Sequence, residues 1–173
     1  MKNLQEVHNS NILLDTNILI HYADDEFKER SGNILRVLQQ NKNLLSISEV
    51  TGFELLNCHP TDRRREKYFK FLKMVSNHPV TRDILSNAAI LSNESKRLTG
   101  QQNRVFPIPD LILGGTVLYY TTDPVFVLTT DRHDFFEPLW ETVAYTQVLK
   151  SDKENVDVHL YLLSLNRTVL FSQ

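Results

Sequence analysis

Apolar and polar residues follow one another along this chain in short blocks, each with the period of one kind of secondary structure. Ile12-Leu13-Leu14 is an unbroken apolar run closed by Asp15, the pattern of a strand buried on both faces, and residues 16–23 then carry apolar positions spaced for a helix. A helix is predicted over 31–40, with Ile34, Leu35 and Leu38 on one side, then a strand over 44–47 and helices over 48–57 and 62–75. The last of these has Tyr68, Leu72 and Val75 on its inner stripe. Residues 81–98 read as a helix capped by Thr81 and stopped by Gly100. Pro107 and Pro109 break the chain, Asp110 opens an apolar helix over 111–120, and Gly114-Gly115 inside it leaves room for a neighbouring element to come close. Val125-Phe126-Val127-Leu128 is a second buried-strand run, leading into Thr129-Thr130-Asp131. The tail, 151–173, has two readings, a helix over 154–165 or a hairpin over 159–171. Strands separated by helices pair in parallel, so an α/β fold with a central sheet covered on both faces is expected.

Composition narrows this further. With 173 residues the chain suits one domain, able to bury about 70% of its unfolded surface without disulfides or structural metal. Nineteen basic against 21 acidic residues leave a formal charge of −2, so nucleic-acid binding would need a local patch rather than the whole-protein field. Cys58 is the only cysteine, and no Cys/His cluster has zinc spacing, which fits a reducing compartment. The start is polar, and no apolar run approaches the roughly 18 residues of a membrane helix. The expectation is a cytoplasmic protein with no membrane association.

The acids carry the chemical information. Asp15 and Asp131 each follow a strand, and in an open parallel sheet ligands bind in the crevice beyond the carboxyl ends of the strands. Asp110 at the head of an apolar helix, and Glu54 in a helix otherwise lined by Val50, Phe53 and Leu55, stand beside core-forming residues, where an unpaired charge is costly. Bound cations would relieve that cost.

Four segments together resemble the PIN-domain nucleases, most closely the VapC-type toxin ribonucleases of prokaryotic toxin–antitoxin pairs: Leu13-Leu14-Asp15-Thr16-Asn17, Glu54-Leu55-Leu56, Pro109-Asp110-Leu111-Ile112, and Thr129-Thr130-Asp131-Arg132-His133-Asp134-Phe135. The resemblance implies a PIN-like α/β/α sandwich with a mostly parallel sheet over residues 1–150, residues 151–173 being a C-terminal extension of the same domain. It implies a magnesium- or manganese-dependent endoribonuclease in which Asp15, Glu54, Asp110 and Asp131 are catalytic. Asp15, Asp110, Asp131 and Asp134 would hold metal, and Asn17 and Thr130 would order the site. It further implies an RNA substrate, a homodimer and an antitoxin partner. The chemistry is self-consistent, because carboxylates suit a hard cation and divalent ions can both supply a nucleophilic water and stabilise charge on phosphate oxygens. Crowded acids would raise one another's pKa values when no metal is bound.

Each acid has a plainer reading. Asp15 and Asp110 both suit helix N-caps, and Thr51-Gly52-Phe53-Glu54 spells a capping box. Glu49 competes with Glu54, but five residues turn a helix by roughly 140° from one to the other, so both would not face one ion. Asp134 competes with Asp131 on the same loop. Arg63, Lys67 and Lys70 lie along one helical face and, with Arg132, could hold phosphates, although such a run is usually a solvated surface. His133 is a second loop residue beside the acids, His21 reads as an ordinary helix residue, and Cys58-His59 as a packed pair without further ligands. Two other functional classes stay open: a non-catalytic PIN-like module that binds RNA or protein, and a haloacid-dehalogenase-type phosphatase. The latter needs a second aspartate two residues after the first, where this chain has Asn17.

Overall fold

A computed structural model describes residues 2–23, 25–57, 61–100, 102–103, 105–121, 123–149 and 157–172, with the backbone alone for 25–32, 149 and 157. Cys58, His59 and the start of the tail, 151–156, lie outside the described residues. The strands are β1 (Lys2–Asn3), β2 (Asn11–Leu14), β3 (Leu44–Ser48), β4 (Ser76–His78), β5 (Val125–Thr129), β6 (Trp140–Leu149) and β7 (Asp157–Leu165). The α-helices are α1 (Thr16–Ala23), α2 (Asp25–Gln40), α3 (Glu49–Asn57), α4 (Asp62–Leu72), α5 (Arg82–Thr99), α6 (Ile108–Tyr119) and α7 (Arg167–Phe171).

The strands form one sheet in the order β1-β6-β7-β5-β2-β3-β4. Strand β2 lies in its interior, parallel to β3 and β5, and Ile12, Leu13 and Leu14 are completely buried. Three such side chains, each worth about 1.5–3 kcal/mol when removed from water, anchor the sheet and fix the position of the residue that follows them, Asp15. Two cores lie on opposite faces. Ile12 and Leu14 join Ile18, Leu19, Leu35, Leu38, Leu55 and Tyr68 from α1, α2, α3 and α4 on one. Leu13 joins Leu91, Leu113, Val117 and Leu170 from α5, α6 and α7 on the other. The result is the expected three-layer α/β/α sandwich.

Helix α5 has the predicted ends: the Thr81 hydroxyl accepts from the Ile84 amide, and Gly100 turns left-handed at φ +67°. The glycine pair of α6 sits where α5 crosses it. A Cβ on Gly115 would stand 2.4 Å from the Ile84 carbonyl oxygen, and one on Gly114 would stand 2.7 Å from Leu91 Cδ1. The C-terminal end of α6 is held by Arg167, whose Nη2 donates to the carbonyls of Val117 and Tyr120.

Several boundaries differ from expectation. Helix α2 begins at Asp25 rather than 31, and α6 begins at Ile108, which makes Asp110 its third residue. Helix α4 stops at Leu72, and Ser76–His78 extends as edge strand β4 beside β3. The largest difference is in the tail. Residues 157–165 are a strand, not a helix, inserted antiparallel between β5 and β6 in the interior of the sheet. The hairpin reading had the right secondary structure for its first half, but the partner strand is the preceding β6, which the sequence reading did not foresee. Residues 167–171 are helical. Four of the six strand pairings are parallel and two, both made by β7, are antiparallel.

Candidate active site

Asp15 leaves β2 at its carboxyl end, its amide still paired with the Leu128 carbonyl of β5. Its side chain does not act as the expected N-cap of α1, since it reaches no amide deeper than Thr16. Oδ1 accepts from the Thr16 amide at 2.6 Å, and Oδ2 accepts from Asn17 Nδ2 at 2.7 Å and from the Thr129 hydroxyl at 2.7 Å. Burial nevertheless pushes its carboxyl up to about 6, the hydrogen bonds from Thr129 and Thr16 opposing that rise and the charges of Glu54 and Asp134 adding to it.

Asn17 ties the ends of β2 and β5 together. Its Nδ2 also lies 3.0 Å from the Thr129 hydroxyl, and its Oδ1 accepts from the Thr130 amide. The expected ordering role of Asn17 thus has a geometry, whereas Thr130 takes part through its backbone. The hydroxyl in the network is that of Thr129, which is completely buried and also accepts from the Asp131 amide. Strand alternation explains the choice, because neighbouring residues of β5 point to opposite faces.

Glu54 lies in the middle of α3, not in a capping box. The helix starts at Glu49 with the Ser48 hydroxyl as its cap, so Thr51 is already inside it. Glu54 Oε2 accepts from the Thr16 hydroxyl, which carries α3 to the Asp15 loop. Glu49 turns away and accepts from the Val80 amide at 2.9 Å. Phe53, expected to line the core beside Glu54, is instead 66% exposed. The Thr51 hydroxyl, buried in α3, has no hydrogen-bond partner among the described residues.

Asp110 is not a cap either: Pro107 occupies that position and α6 has no side-chain cap. Asp110 shares a small cavity with Asp134, Phe106, Phe135 and Trp140. Burial pushes its carboxyl up to about 8, with further contributions, in decreasing order, from the charges of Asp15, Asp134, Glu54 and Asp131. Asp134 therefore acts on both central acids and more strongly than Asp131, which contributes least to Asp110 and is not among the groups that raise Asp15. Asp131 is exposed, and its Oδ1 accepts from the His133 amide at 2.9 Å.

The donor set suits a hard divalent cation in kind, being all carboxylate and already destabilised by its own crowding. Among the described residues, however, no three His, Cys, Asp or Glu side chains stand where they could hold one ion together. Asp15, Glu54 and Asp131 each also direct at least one oxygen toward a protein donor.

Of the four basic candidates, Arg132 and Lys67 are drawn into the fold, while Arg63 and Lys70 stay on the surface. Arg132 is engaged along its whole guanidinium, with Nε donating to Thr142, Nη1 to the Phe135 carbonyl, and Nη2 to Glu137 at 2.7 Å and to the Trp140 carbonyl at 2.8 Å. It clamps the acidic loop instead of reaching outward. Lys67 donates to the Ala23 carbonyl at the end of α1, and Lys70 pairs with Glu66 at 2.8 Å. Arg63 is exposed on α4. None of the described helices is long and apolar enough to cross a membrane.

No protein-family model and no curated protein matches the sequence. Among solved structures, the fold is similar to a chain of VapBC2 from Rickettsia felis, determined with a DNA fragment of its promoter, at a TM-score of 0.55 and 16% identity over 72% of this chain and 90% of that one. VapC20 from Mycobacterium tuberculosis, a sarcin-ricin-loop-cleaving toxin, aligns at a TM-score of 0.42 and 16% identity over 62% and 82% of the two chains. DNA-bound VapBC from Salmonella typhimurium aligns at 0.41 and 17% identity over 61% and 77%. The seven-stranded sheet flanked by helices, with acids gathered beyond the carboxyl ends of its parallel strands, is the PIN-domain fold of the VapC toxins.

Proposed function

We propose that this chain is a divalent-metal-dependent endoribonuclease of the VapC toxin kind, acting in the cytoplasm on single-stranded or structured RNA and restrained by an antitoxin, with a homodimer as its working form. The observation that carries the proposal is the placing of Asp15 and Asp110 at one end of the sheet, where burial first, and then the charges of Glu54 and Asp134 on both and of Asp131 on Asp110, push Asp15 up to about 6 and Asp110 up to about 8. An acidic cluster that disfavours its own ionisation is the arrangement expected where a cation completes the site.

In this reading Asp15, Asp110 and Asp134 are the principal ligands, with Glu54 and Asp131 on the periphery of the charge. Magnesium or manganese held there would supply a water of lowered pKa and neutralise charge on the phosphate oxygens. The chain's own residues do the rest. Thr129 and Asn17 hold Asp15 in one orientation, and Thr16 restrains Glu54. Asp110, pushed up to about 8, holds a proton at neutral pH, and metal binding would require its release. A second reading, a PIN-like module that binds RNA or protein without cutting, is favoured by one fact: several of the carboxylates already point at protein donors and, among the described residues, no three converge.

Cleavage of labelled single-stranded RNA by the purified protein with magnesium, with manganese and with chelator separates the two, alongside Asp15→Asn and Asp110→Asn. Metal-dependent cutting that falls at least about a hundredfold in both folded variants supports the nuclease. Absence of cutting in the wild type, or equal cutting by the variants, leaves the binding module.

A further inference from the structure

Beyond the end of β5 the sheet carries a second feature at the acidic end. Strand β5 stops at Thr129, which pairs with Tyr161, and residues 157–160 of β7 lie past it, together with the end of β6. The β6–β7 ribbon thus projects roughly 13 Å beyond the parallel strands, at about 3.4 Å per residue. This is the end of the sheet from which Asp15 emerges, because β2 and β5 run in the same direction.

One face of this ribbon is aromatic. Tyr145 pairs with Tyr161, and His159 lies two residues from Tyr161 on the same face. All three are half-buried, each keeping part of its surface in solvent. Tyr145 and His159 have ring centroids 5.6 Å apart and planes inclined by 21°, and the Tyr145 hydroxyl is bonded to His159 Nδ1. A hydroxyl bonded to an imidazole edge at so small an inclination sets the rings side by side, not face on face. His159 and Tyr161 are inclined by the same 21°, with centroids 6.3 Å apart. Tyr145 and His159 turn their polar edges toward one another, so the chemistry these two offer outward is that of ring faces.

The face is continuous with the acidic site. Thr129, whose hydroxyl holds Asp15, is the cross-strand neighbour of Tyr161. On the other side, Arg132 Nε donates to Thr142, on the same β6 strand as Tyr145 and three positions before it, so the loop bearing Asp131 and Asp134 is fastened beside the aromatic row. The row therefore begins where the acids end.

We infer that Tyr145, His159 and Tyr161 form a stacking platform for the bases of a single-stranded RNA whose backbone passes the acidic site. Exposed aromatic rings are how proteins engage unpaired bases, one base to a ring, and the 43° tilt between Tyr145 and Tyr161, with centroids 5.4 Å apart, makes each a separate stacking site. The choice of nucleic acid as occupant rests on the proposed function; the place and the stacking mode rest on the register and the rings.

The test is fluorescence anisotropy with a labelled mixed-sequence oligoribonucleotide and its abasic counterpart, both in chelator so that nothing is cut. Tyr145→Leu and Tyr161→Leu are expected to weaken binding of the base-containing strand by about tenfold each, the size of one lost stack, and to leave the abasic strand unaffected. Tyr145→Phe, which keeps the ring and loses the hydroxyl, should bind like the wild type; urea unfolding checks that each variant is folded. Unchanged affinity in both Leu variants, equal weakening for both strands, or a Phe variant as weak as the Leu variant would each overturn the platform. A folded protein that binds in this base-dependent way but never cuts RNA refutes the nuclease while leaving the platform standing, and cutting without base-dependent binding does the reverse.

Discussion

Asp110→Asn removes a carboxyl that burial and four neighbouring acids hold at about 8 instead of the ordinary 3.8. The folded chain therefore keeps a proton that the unfolded chain releases, and the sign of the linkage follows. The stability this proton confers is fully present below 3.8, declines as pH rises, and is gone above about 8. Between the ordinary value and neutrality lie about three pH units, at about 1.4 kcal/mol each. That is on the order of 4 kcal/mol, reduced to about 2 kcal/mol because water screens the exposed side of the carboxyl. Asparagine has nearly the shape of the neutral acid and no charge to desolvate. In chelator, wild type and variant should unfold at the same urea concentration near pH 4, and by about pH 7 the variant should be more stable by about 2 kcal/mol. Magnesium should narrow the gap by stabilising the wild type alone, since a ligand that binds only the folded state raises its stability. A variant less stable than the wild type at pH 8, or an advantage that does not change with pH, would refute the claim that Asp110 sits in a crowd of uncompensated charge.

Four further outcomes are expected. Asp134→Asn should weaken manganese binding, read by calorimetry, more than Asp131→Asn does, because Asp134 acts on both Asp15 and Asp110; the opposite order would return Asp131 to the centre. At metal concentrations below saturation, RNA cleavage should rise with pH between about 6 and 8 as protons on Asp15 and Asp110 cease to compete with the metal, and a rate flat across that range would contradict it. Gly115→Ala should cost about 1–3 kcal/mol in urea unfolding, since the methyl group meets the Ile84 carbonyl, which is backbone and cannot swing aside. Arg132→Ala should lower the melting temperature while leaving the salt dependence of RNA binding unchanged, because its guanidinium holds the acidic loop; a reduced salt slope would instead mark it as a phosphate contact.

The limits of the sequence reading fall at identifiable places. Asp131 and Asp134 are three residues apart on one loop, and nothing local says which approaches Asp15. The Arg132 clamp and the turn it holds decide that. The pair Thr129-Thr130 offers two identical hydroxyls, and only the phase of β5 against β2 selects the first. Glu54 could equally have capped a helix beginning at Thr51, until the Ser48 cap moved the helix start three residues earlier and turned Glu54 toward Thr16. Residues 157–165 are a short apolar run of the kind whose period fits helix or strand, and their state depends on β5 and β6, which lie on either side of them.

By itself the sequence determined what depends on neighbours along the chain: the apolar runs of β2 and β5 with an acid after each, the caps of α5, the glycine pair that lets α5 and α6 meet, and hence a layered α/β sandwich with acids at one end of its sheet. Tertiary structure alone decided the register of β7, the choice among competing acids, the internal engagement of Arg132 and Lys67, and the meeting of Tyr145, His159 and Tyr161 on one ribbon face. The physical reason is one of range. Helix caps, turn residues and buried strands are set by interactions a few residues long, whereas a shared electric field or an aromatic face is made by groups that only the closed sheet brings together.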